Sequence, residues 1–232
     1  MSVNASLCYI KAMILTLIKK RKEAGNAVTF IFKPEHNFTW IPGQYLIYNL
    51  EHKNQDLRGK MRFFTISSSP FERYPSITTR IDKIKGSSFK NTLNLLKIGS
   101  AIIAKGPDGD FTLGNSKKKF VFIAGGVGIT PFRSILKQLD YDKKDFDIIL
   151  FYASKKGVIF KKEFDDLKLK RLKIKYLIEK KLNKTDIEKI PDFKKRIIYV
   201  SGPDTMTERI ESLLLKLGVK KENIKTDYFS GY

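Results

Sequence analysis

The sequence contains little cysteine and histidine and no long apolar run near its start. Its single cysteine, Cys8, excludes a disulfide framework, a four-cysteine zinc site and a self-contained iron-sulfur cluster, because each needs several thiolates. The two histidines, His36 and His52, lie in no recognisable motif and are expected at the surface. The apolar stretch from Met13 to Ile18 is too short to span a bilayer and has no small-residue cleavage site. We therefore expect a cytoplasmic protein without a membrane span.

Positive charge is abundant instead. The 232 residues include 45 Lys and Arg against 24 Asp and Glu, which gives a formal net charge of +21. Such a surplus attracts polyanions, but here it is spread along the chain and comes mostly from Lys, whereas recognition of bases and phosphates favours Arg. We therefore expect no nucleic-acid binding. Two interpretations stay open: a compositional Lys bias, or steering of an acidic partner.

The first half of the chain has the pattern of short β-strands. Segments rich in Ile, Phe, Tyr and Thr are separated by turn signals such as Pro42-Gly43 and Pro107-Asp108-Gly109. This pattern predicts a small antiparallel β-barrel, interrupted by one helix that is capped by Ser87 or Ser88 and ends at Gly99. The predicted strands cover residues 27–32, 45–50, 62–67, 78–82 and 101–105.

The second half alternates between apolar strands and amphipathic helices. Near-continuous apolar runs at 120–124, 148–152, 174–178 and 197–200 are typical of parallel strands covered on both faces. Thr130 is the predicted N-cap of one helix, and Thr205 with Glu208 has the spacing of a capping box for another. The predicted fold is an N-terminal antiparallel β-barrel domain (1–115) followed by a C-terminal α/β domain with a doubly wound parallel sheet (116–232).

A glycine-rich loop, Gly125 to Pro131, follows an apolar strand and opens a helix. Its glycines allow close approach of the backbone to an anion, and the N–H groups of the helix start point at the same place, so a pyrophosphate fits there. A tight turn that needs glycine for its own conformation is the alternative, since Pro131 replaces the third glycine of the usual dinucleotide motif. A second strand-to-helix joint, Val200 to Asp204, belongs to the same edge of the sheet, where ligands bind in such folds.

Two other features suggest phosphate binding. Arg62 and Phe64 share one face of a predicted strand, which suits a ligand that combines a phosphate with a planar ring, although an edge Arg beside a core Phe is the alternative. The helix near Ser87 follows Gly86 and carries Lys90 in its first turn, which makes a second anion-binding terminus.

The order and spacing of these motifs, over essentially the whole chain, resemble the ferredoxin-NADP reductase-like flavoenzymes, in which an FAD-binding barrel precedes a nicotinamide-nucleotide domain. The resemblance is carried by the segments Ile41 to Tyr45, Arg62 to Thr65, Gly86 to Lys90, Gly106 to Phe111, Gly125 to Ser134 and Ser201 to Met206.

The resemblance implies FAD as the bound cofactor and NADPH or NADH as the hydride donor. It implies that Arg62 pairs with a flavin phosphate, that Phe64 stacks on the isoalloxazine and that Thr65 hydrogen-bonds near N5. The other predicted FAD-binding residues are Phe63, Gly86, Ser87, Ser88, Phe89 and Lys90. The predicted nicotinamide-dinucleotide site comprises Gly126, Val127, Gly128, Thr130, Pro131, Gly202, Pro203, Asp204 and Met206. We also expect Ser154 and Lys155 to contact an adenosine 2′-phosphate, with a solvated loop as the alternative.

Thr65, Ser201 and Phe229 are the predicted catalytic residues. Many members of the resembled family carry cysteine where this chain has Ser201, near the locus of hydride transfer. The C-terminal run Tyr228 to Tyr232 is similar to tails whose aromatic residue covers the flavin; Phe229 and Tyr232 are both candidates for this role, and packing of the tail on the barrel is the alternative.

We therefore predict a flavin-dependent oxidoreductase that passes a hydride from NAD(P)H to FAD and then electrons to a separate acceptor. The positive surface suits an acidic acceptor such as a ferredoxin or flavodoxin, and Ser154 with Lys155 favours NADPH over NADH. The alternatives are a reductase of free flavins, quinones or ferric complexes, and a flavin-bearing electron-transfer subunit with little activity alone.

Overall fold

The computed structural model describes residues 12–82, 84, 86–114 and 119–227, and it contains two β-sheets. A six-stranded antiparallel sheet comes from the first half of the chain and a five-stranded parallel sheet from the second. The predicted fold class is confirmed. The predicted boundary at 115/116 lies outside the described residues, so the division into two domains stays a prediction.

The antiparallel sheet has the strand order β4-β3-β6-β1-β2-β5. The sheet curls, so its two edge strands approach each other. The Ser67 backbone N–H, near one edge, donates to the Ser76 carbonyl of the other edge over 2.9 Å. The alternating residues that point inward form one apolar core, which includes Leu15, Phe30 and Tyr48. The strands are β1 (Ala12–Lys22), β2 (Ala27–Pro34), β3 (Tyr45–Asn49), β4 (Met61–Thr65), β5 (Ser76–Arg80) and β6 (Ala101–Asp108).

Helix α1 (Ser88–Leu95) closes one end of this barrel. The Ser87 side chain caps the helix by accepting a hydrogen bond from the Lys90 backbone N–H, as the sequence predicts. Phe89 and Leu93, four residues apart, are both fully buried in the barrel core. The cap and the apolar stripe therefore fix where the helix starts and which face it buries.

The parallel sheet has the order β11-β10-β7-β8-β9, with helices that connect its strands. The order reverses between β7 and β10, which makes the carboxyl ends of these two strands a topological switch point. The strands are β7 (Phe120–Gly125), β8 (Ile148–Ser154), β9 (Leu172–Ile178), β10 (Ile197–Ser201) and β11 (Ile224–Asp227). The helices are α2 (Thr130–Tyr141), α3 (Lys161–Asp165), α4 (Lys184–Glu188) and α5 (Asp204–Lys216).

Two helix starts differ from the sequence-based prediction. A short 3₁₀ turn, Gly126–Ile129, precedes α2, so the N-cap is Ile129 and Thr130 is the first helical residue. Helix α5 begins at Asp204, and the predicted capping box of Thr205 is wrong. The reason is Pro203, whose fixed φ places its carbonyl to accept hydrogen bonds from the Met206 and Thr207 backbone N–H groups.

Aromatic contacts join the two halves. Phe111, which follows β6, packs edge-on against Phe132 of α2 and Tyr199 of β10, with ring centroids 5.7 and 5.0 Å apart. The Tyr199 hydroxyl donates to the Thr112 carbonyl over 2.8 Å. Edge-on pairs of this kind stabilise an interface beyond their buried area. Within the described part of the chain, no helix combines the length and apolarity needed to cross a membrane.

Candidate active site

A cavity of about 440 Å³ opens between the two sheets, at the switch point of the parallel sheet. Strands β4 and β5 of the barrel form one wall, and the loops after β7 and β10 form the other. The lining residues are Phe64, Thr65, Thr78, Thr79, Arg80, Lys90, Gly125, Gly126, Val127, Gly128, Thr130, Ser201, Gly202, Pro203, Asp204 and Thr205. The structure thus brings together predicted site residues that lie more than 100 positions apart in the sequence.

The two glycine loops of the α/β half touch each other. A Cβ atom at Gly128 would collide with the backbone of Ser201 and Gly202, so only glycine permits this approach. Gly126 has a φ of +56°, in the left-handed region that also favours glycine. Met206 does not line the cavity; its thioether packs against Gly125 and Gly202 and supports the loops from behind. The predicted dinucleotide loops therefore form one continuous backbone surface.

Thr65 lies at the barrel side of the cavity and is 4% exposed. Its Oγ1 is buried and has no hydrogen-bond partner among the residues that the structure describes. A buried hydroxyl without a partner costs free energy unless a ligand satisfies it. Phe64, the preceding residue, also lines the cavity while most of its ring packs on Tyr48 and Phe89 in the barrel core.

Ser201 lies across the cavity at the end of β10. Its Oγ donates to Asp227 Oδ2 over 3.1 Å, and Asp227 is the last residue of β11. Burial raises the pKa of Asp227 to about 7; the nearby Asp110 charge adds to this effect, and the Ser201 hydrogen bond opposes it. Asp227 does not line the cavity, but the residue that it orients, Ser201, does, so a carboxyl group with a pKa near neutral pH lies next to the cavity wall. Sequence reasoning did not identify Asp227, because an isolated Asp near a chain end carries no motif.

Arg62 is 6% exposed and is held by its own loop rather than by the cavity wall. Its Nη1 donates to the carbonyls of Arg58, Gly59 and Met61 over 2.6, 3.1 and 2.6 Å. Its Nη2 donates to Asp56 Oδ1 over 3.3 Å. The guanidinium is thereby fixed beside the start of α1, where the second predicted phosphate-binding segment begins.

Asp56 connects these two predicted phosphate-binding groups. Besides Arg62, its carboxylate accepts from the Ser88 backbone N–H over 2.9 Å and from the Arg58 side chain. The hydrogen bonds from Arg58 and Ser88 hold the pKa of Asp56 well below its usual range. An acidic side chain therefore occupies the anion-binding N-terminus of α1.

Lys90, in the first turn of α1, does line the cavity. Burial, together with the neighbouring charges of Arg58 and Arg62, lowers the pKa of Lys90 to about 8. Three cations therefore converge near the start of α1. This concentration of positive charge is costly on its own and favours an anionic ligand.

His52 also belongs to this region, although no sequence motif places it there. Its Nε2 shares a 2.9 Å hydrogen bond with Ser88 Oγ, and its Nδ1 lies 2.7 Å from the Leu50 carbonyl. The ring packs edge-on against Phe89. The expected surface position is therefore wrong for His52, which is half-buried, whereas His36 is exposed as expected.

Several predicted residues lie away from the cavity. Phe63 alternates outward from β4, is 42% exposed and packs on Tyr45. The Ser154 hydroxyl donates to the Gly157 carbonyl over 2.5 Å and is buried, while Lys155 is exposed. Phe229 and Tyr232 lie outside the described residues. The other predicted residues that do not line the cavity are Arg62, Gly86, Ser87, Ser88, Phe89, Pro131 and Met206.

The structure also adds residues that sequence reasoning missed. Thr78, Thr79 and Arg80, at the end of β5, line the cavity opposite the glycine loops. The sequence shows them only as an ordinary strand. Their position depends on how the barrel docks on the second sheet, and no local pattern encodes that.

Comparisons with known proteins match this architecture. Residues 122–212 match the sequence profile of the family described as oxidoreductase NAD-binding domain. Flavohemoprotein A of Dictyostelium discoideum is 28% identical over 91% of this chain and 58% of its own length. The reductase subunit of glycine betaine monooxygenase from Pseudomonas aeruginosa is 27% identical over 87% of this chain and 60% of its own. The chain thus spans less than two thirds of these relatives.

Solved structures show the same fold. The FAD/NAD-binding domain of nitric oxide dioxygenase from Vibrio cholerae has a TM-score of 0.80 at 20% identity and covers 93% of this chain and 97% of that one. Ferredoxin-NADP⁺ reductase from Plasmodium falciparum has a TM-score of 0.76 at 20% identity and covers 93% and 95% of the two chains. Both alignments include the antiparallel and the parallel sheet, so the likeness covers the two walls of the cavity.

Proposed function

We propose that this chain is a ferredoxin-NADP reductase-like FAD-binding oxidoreductase and that it moves reducing equivalents from NAD(P)H through FAD to a separate acceptor. The observation that carries the proposal is the single cavity that joins Phe64 and Thr65 of the barrel to both glycine loops of the α/β half. A hydride donor and its acceptor must meet in such a place, within contact distance and away from water.

The residues present fit FAD on two counts. Thr65 offers a buried hydroxyl with no partner among the described residues, at the wall where the ring system belongs. Lys90, Arg58 and Arg62 converge at the N-terminus of α1, which supplies positive charge for a pyrophosphate. Bound FAD supplies the chemistry of hydride acceptance and of electron release in one- or two-electron steps.

The residues of this chain would bind FAD and the nicotinamide dinucleotide and orient them toward each other. Phe64 and Thr65 would hold the ring system against the barrel, and Lys90 would contact the FAD phosphates. On the opposite wall, the backbone N–H groups of the 126–129 turn and the start of α2 would bind the pyrophosphate of the nicotinamide dinucleotide. The two walls would thereby bring the nicotinamide to the flavin.

Ser201 lines the cavity and forms a polar pair with Asp227, its hydrogen-bond partner next to the cavity wall. The hydrogen bond between them fixes the Ser201 hydroxyl, and the Asp227 carboxyl has a pKa that allows it to hold a proton at neutral pH. Where many family members have a thiol, this chain would present an oriented hydroxyl to the nicotinamide. Phe229 or Tyr232 would cover the flavin until the nicotinamide enters.

The acceptor is proposed to be a separate acidic electron-carrier protein, such as a ferredoxin or flavodoxin. The net charge of +21 supports this choice, since opposite charge steers encounter. The names of several relatives, which are reductase subunits of oxygenases, also support transfer to a partner protein.

Steady-state assays of the FAD-loaded protein test the function. We expect NAD(P)H-dependent reduction of a ferredoxin at a rate that falls as ionic strength rises, and reduction of a neutral quinone at a rate that does not. A comparison of the rates with NADPH and NADH gives the donor preference. Efficient quinone reduction with no ferredoxin reduction would favour the alternative of a small-acceptor reductase, and a lack of activity with every acceptor would favour the electron-transfer subunit.

A further inference from the structure

Glu163, on helix α3 of the α/β half, is bonded to both halves of the protein. Its Oε1 accepts a hydrogen bond from Nη2 of Arg21, in barrel strand β1, over 2.7 Å. Its Oε2 lies 2.5 Å from Nη2 of Arg133, in the first turn of α2. One carboxylate therefore links the barrel to the helix that directly follows the glycine loop.

Both guanidinium groups also pack on one aromatic ring. The Cζ atoms of Arg21 and Arg133 lie 5.8 and 4.9 Å from the ring centroid of Phe160, the residue before α3. Phe160 is buried and has a φ of +62°, in the left-handed region that a bulky residue occupies only when its surroundings hold it there. The start of α3 is therefore fixed against the two arginines.

The same segment supports the glycine loop. The Ile159 backbone N–H donates to the Tyr152 hydroxyl over 3.2 Å, and that hydroxyl donates to the Gly126 carbonyl over 3.0 Å. The segment before α3 thus reaches the start of the loop through Tyr152, while Glu163 reaches the helix after the loop through Arg133. A shift of α3 relative to the barrel would therefore be transmitted to both ends of the loop.

Each of the two arginines has a further carboxylate partner in the barrel. Arg21 Nε donates to Glu23 over 2.7 Å, and Arg133 donates two hydrogen bonds of 2.9 Å to Glu72. Replacement of Glu163 by an uncharged residue therefore leaves both guanidinium groups paired and removes only the link between them. Because no buried charge is left alone, the effect on folding should be small.

We infer that Glu163 is a positioning residue for hydride transfer, because its bridge between Arg21 and Arg133 sets the distance from the barrel wall of the cavity to the glycine loop. The inference rests on the proposed function, since it concerns how the proposed hydride donor and acceptor meet. A misplacement of about 1 Å can lower the rate of such a step about a hundredfold. Glu163 does not line the cavity, so we expect it to affect the rate more than binding.

Two measurements on Glu163→Gln test the inference. Amide hydrogen–deuterium exchange of the protein without cofactor needs no turnover. Anaerobic flavin reduction in the FAD-loaded protein, followed at several concentrations of NADPH and of NADH, separates the limiting rate from the affinity. Arg21→Met breaks the same bridge from the barrel side, and Glu163→Asp keeps the charge. Asp165→Asn is the matched control, because Asp165 is an exposed acid on the same helix whose partners Lys161 and Tyr176 both belong to the α/β half.

We expect Glu163→Gln and Arg21→Met to exchange faster in peptides that cover residues 126–134 and 67–76, and to reduce the flavin with a limiting rate about tenfold or more below that of the wild type. Affinity for FAD and for the dinucleotide should stay close to the wild-type values. Glu163→Asp should recover part of the rate, and Asp165→Asn should match the wild type. The double variant should be no slower than the slower single variant, because both substitutions remove the same bridge.

A wild-type exchange pattern or a wild-type limiting rate in Glu163→Gln would overturn the inference and leave the proposed function standing. Faster exchange throughout the chain with a lower melting temperature would also overturn it, because it would give Glu163 a general role in stability. Failure of both nucleotides to reduce the flavin of the wild type would instead contradict the proposed function itself.

Discussion

The Arg133 guanidinium donates two parallel hydrogen bonds to the Glu72 carboxylate, Nη1 to Oε2 and Nη2 to Oε1, each 2.9 Å long. Arg133 lies in the first turn of α2, directly after the glycine loop, and Glu72 lies in a short 3₁₀ turn of the barrel. Arg133 Nη1 also donates to the Ser67 carbonyl, and Nη2 pairs with Glu163. This buried cluster fixes the helix that carries the loop against the barrel, so the two walls of the cavity keep their spacing.

Replacement of Arg133 should therefore destabilise the protein strongly. Arg133→Met keeps much of the apolar bulk but leaves Glu72 without its cation, and removal of one partner of a buried pair costs about 3 kcal/mol. Chemical denaturation would measure the change in the free energy of unfolding. Lys184→Ala, which breaks an exposed pair with Glu188 on α4, should change it by less than about 0.5 kcal/mol. A similar loss of unfolding free energy in both variants would show that the Arg133 cluster stabilises the protein no more than an exposed ion pair does.

Gly128→Ala should weaken the binding of NAD(P)H while FAD binding stays intact. The added Cβ would collide with the backbone of Ser201 and Gly202 and push the two loops apart. Displacement of a phosphate-binding loop should cost about tenfold or more in affinity for the dinucleotide. The measurement is titration of the FAD-loaded protein with NADP⁺, with Gly114→Ala as the control, since no atom of the residues that the structure describes lies within 4 Å of a Cβ at Gly114. Unchanged affinity in Gly128→Ala would remove this loop from the substrate site.

Asp56→Asn should strengthen FAD binding by the apoprotein. The Asp56 carboxylate accepts from Arg62 and from the Ser88 N–H, the same groups that are proposed to hold the FAD pyrophosphate. An uncharged amide at position 56 would compete less strongly than the carboxylate with the FAD pyrophosphate for these donors. Removal of the negative charge also raises the positive potential of the site. Fluorescence titration with FAD would measure the affinity.

Arg62→Ala is the matched comparison, and it should lower FAD affinity by about 1.5–3 kcal/mol, the value of a hydrogen bond to a charged group. Equal losses of affinity in Asp56→Asn and Arg62→Ala would show that Asp56 positions Arg62 instead of competing with the phosphate. Unchanged affinity in Arg62→Ala would remove Arg62 from the FAD site.

Stability should depend on pH through Asp227. Its pKa is about 7 in the folded protein against an ordinary value of 3.8, so the folded state keeps a proton that the unfolded chain has released across this interval. The contribution of Asp227 to the free energy of unfolding therefore falls as pH rises from about 4 to about 7, by up to about 1.4 kcal/mol per pH unit. Asp227→Asn should lose this slope. Denaturation curves of both proteins between about pH 4.5 and 7.5 would show it, and parallel profiles would contradict the raised pKa.

Local patterns predicted the elements of this fold well. Apolar runs marked β7, β8 and β10, and the cap of α1 was predicted as Ser87 or Ser88 and is Ser87, because these features depend on neighbours in sequence. Strands β1 and β11 carried no prediction, because β1 mixes lysines with its buried Leu15 and Leu17 and β11 has only four residues.

The residues of the candidate site could be predicted only where a short sequence motif determines the local backbone conformation. The glycine loops and Phe64-Thr65 meet at one cavity as the resemblance implied. Arg80 lines the cavity because the barrel packs on the α/β half. Asp227 contacts Ser201 because the edge strand β11 ends beside β10. No spacing along the chain encodes those contacts, so they required the structure.

Anaerobic reduction of the bound flavin tests the proposed hydride transfer from NAD(P)H to FAD. The FAD-reconstituted protein is mixed with one equivalent of NADPH, and separately of NADH, while the visible absorption of the flavin is followed. We expect a flavin band that bleaches with NADPH or NADH, and the faster nucleotide identifies the preferred donor. A bound flavin that neither nucleotide reduces would contradict the reductase function, and failure to bind FAD would contradict the roles given to Arg62, Phe64 and Thr65.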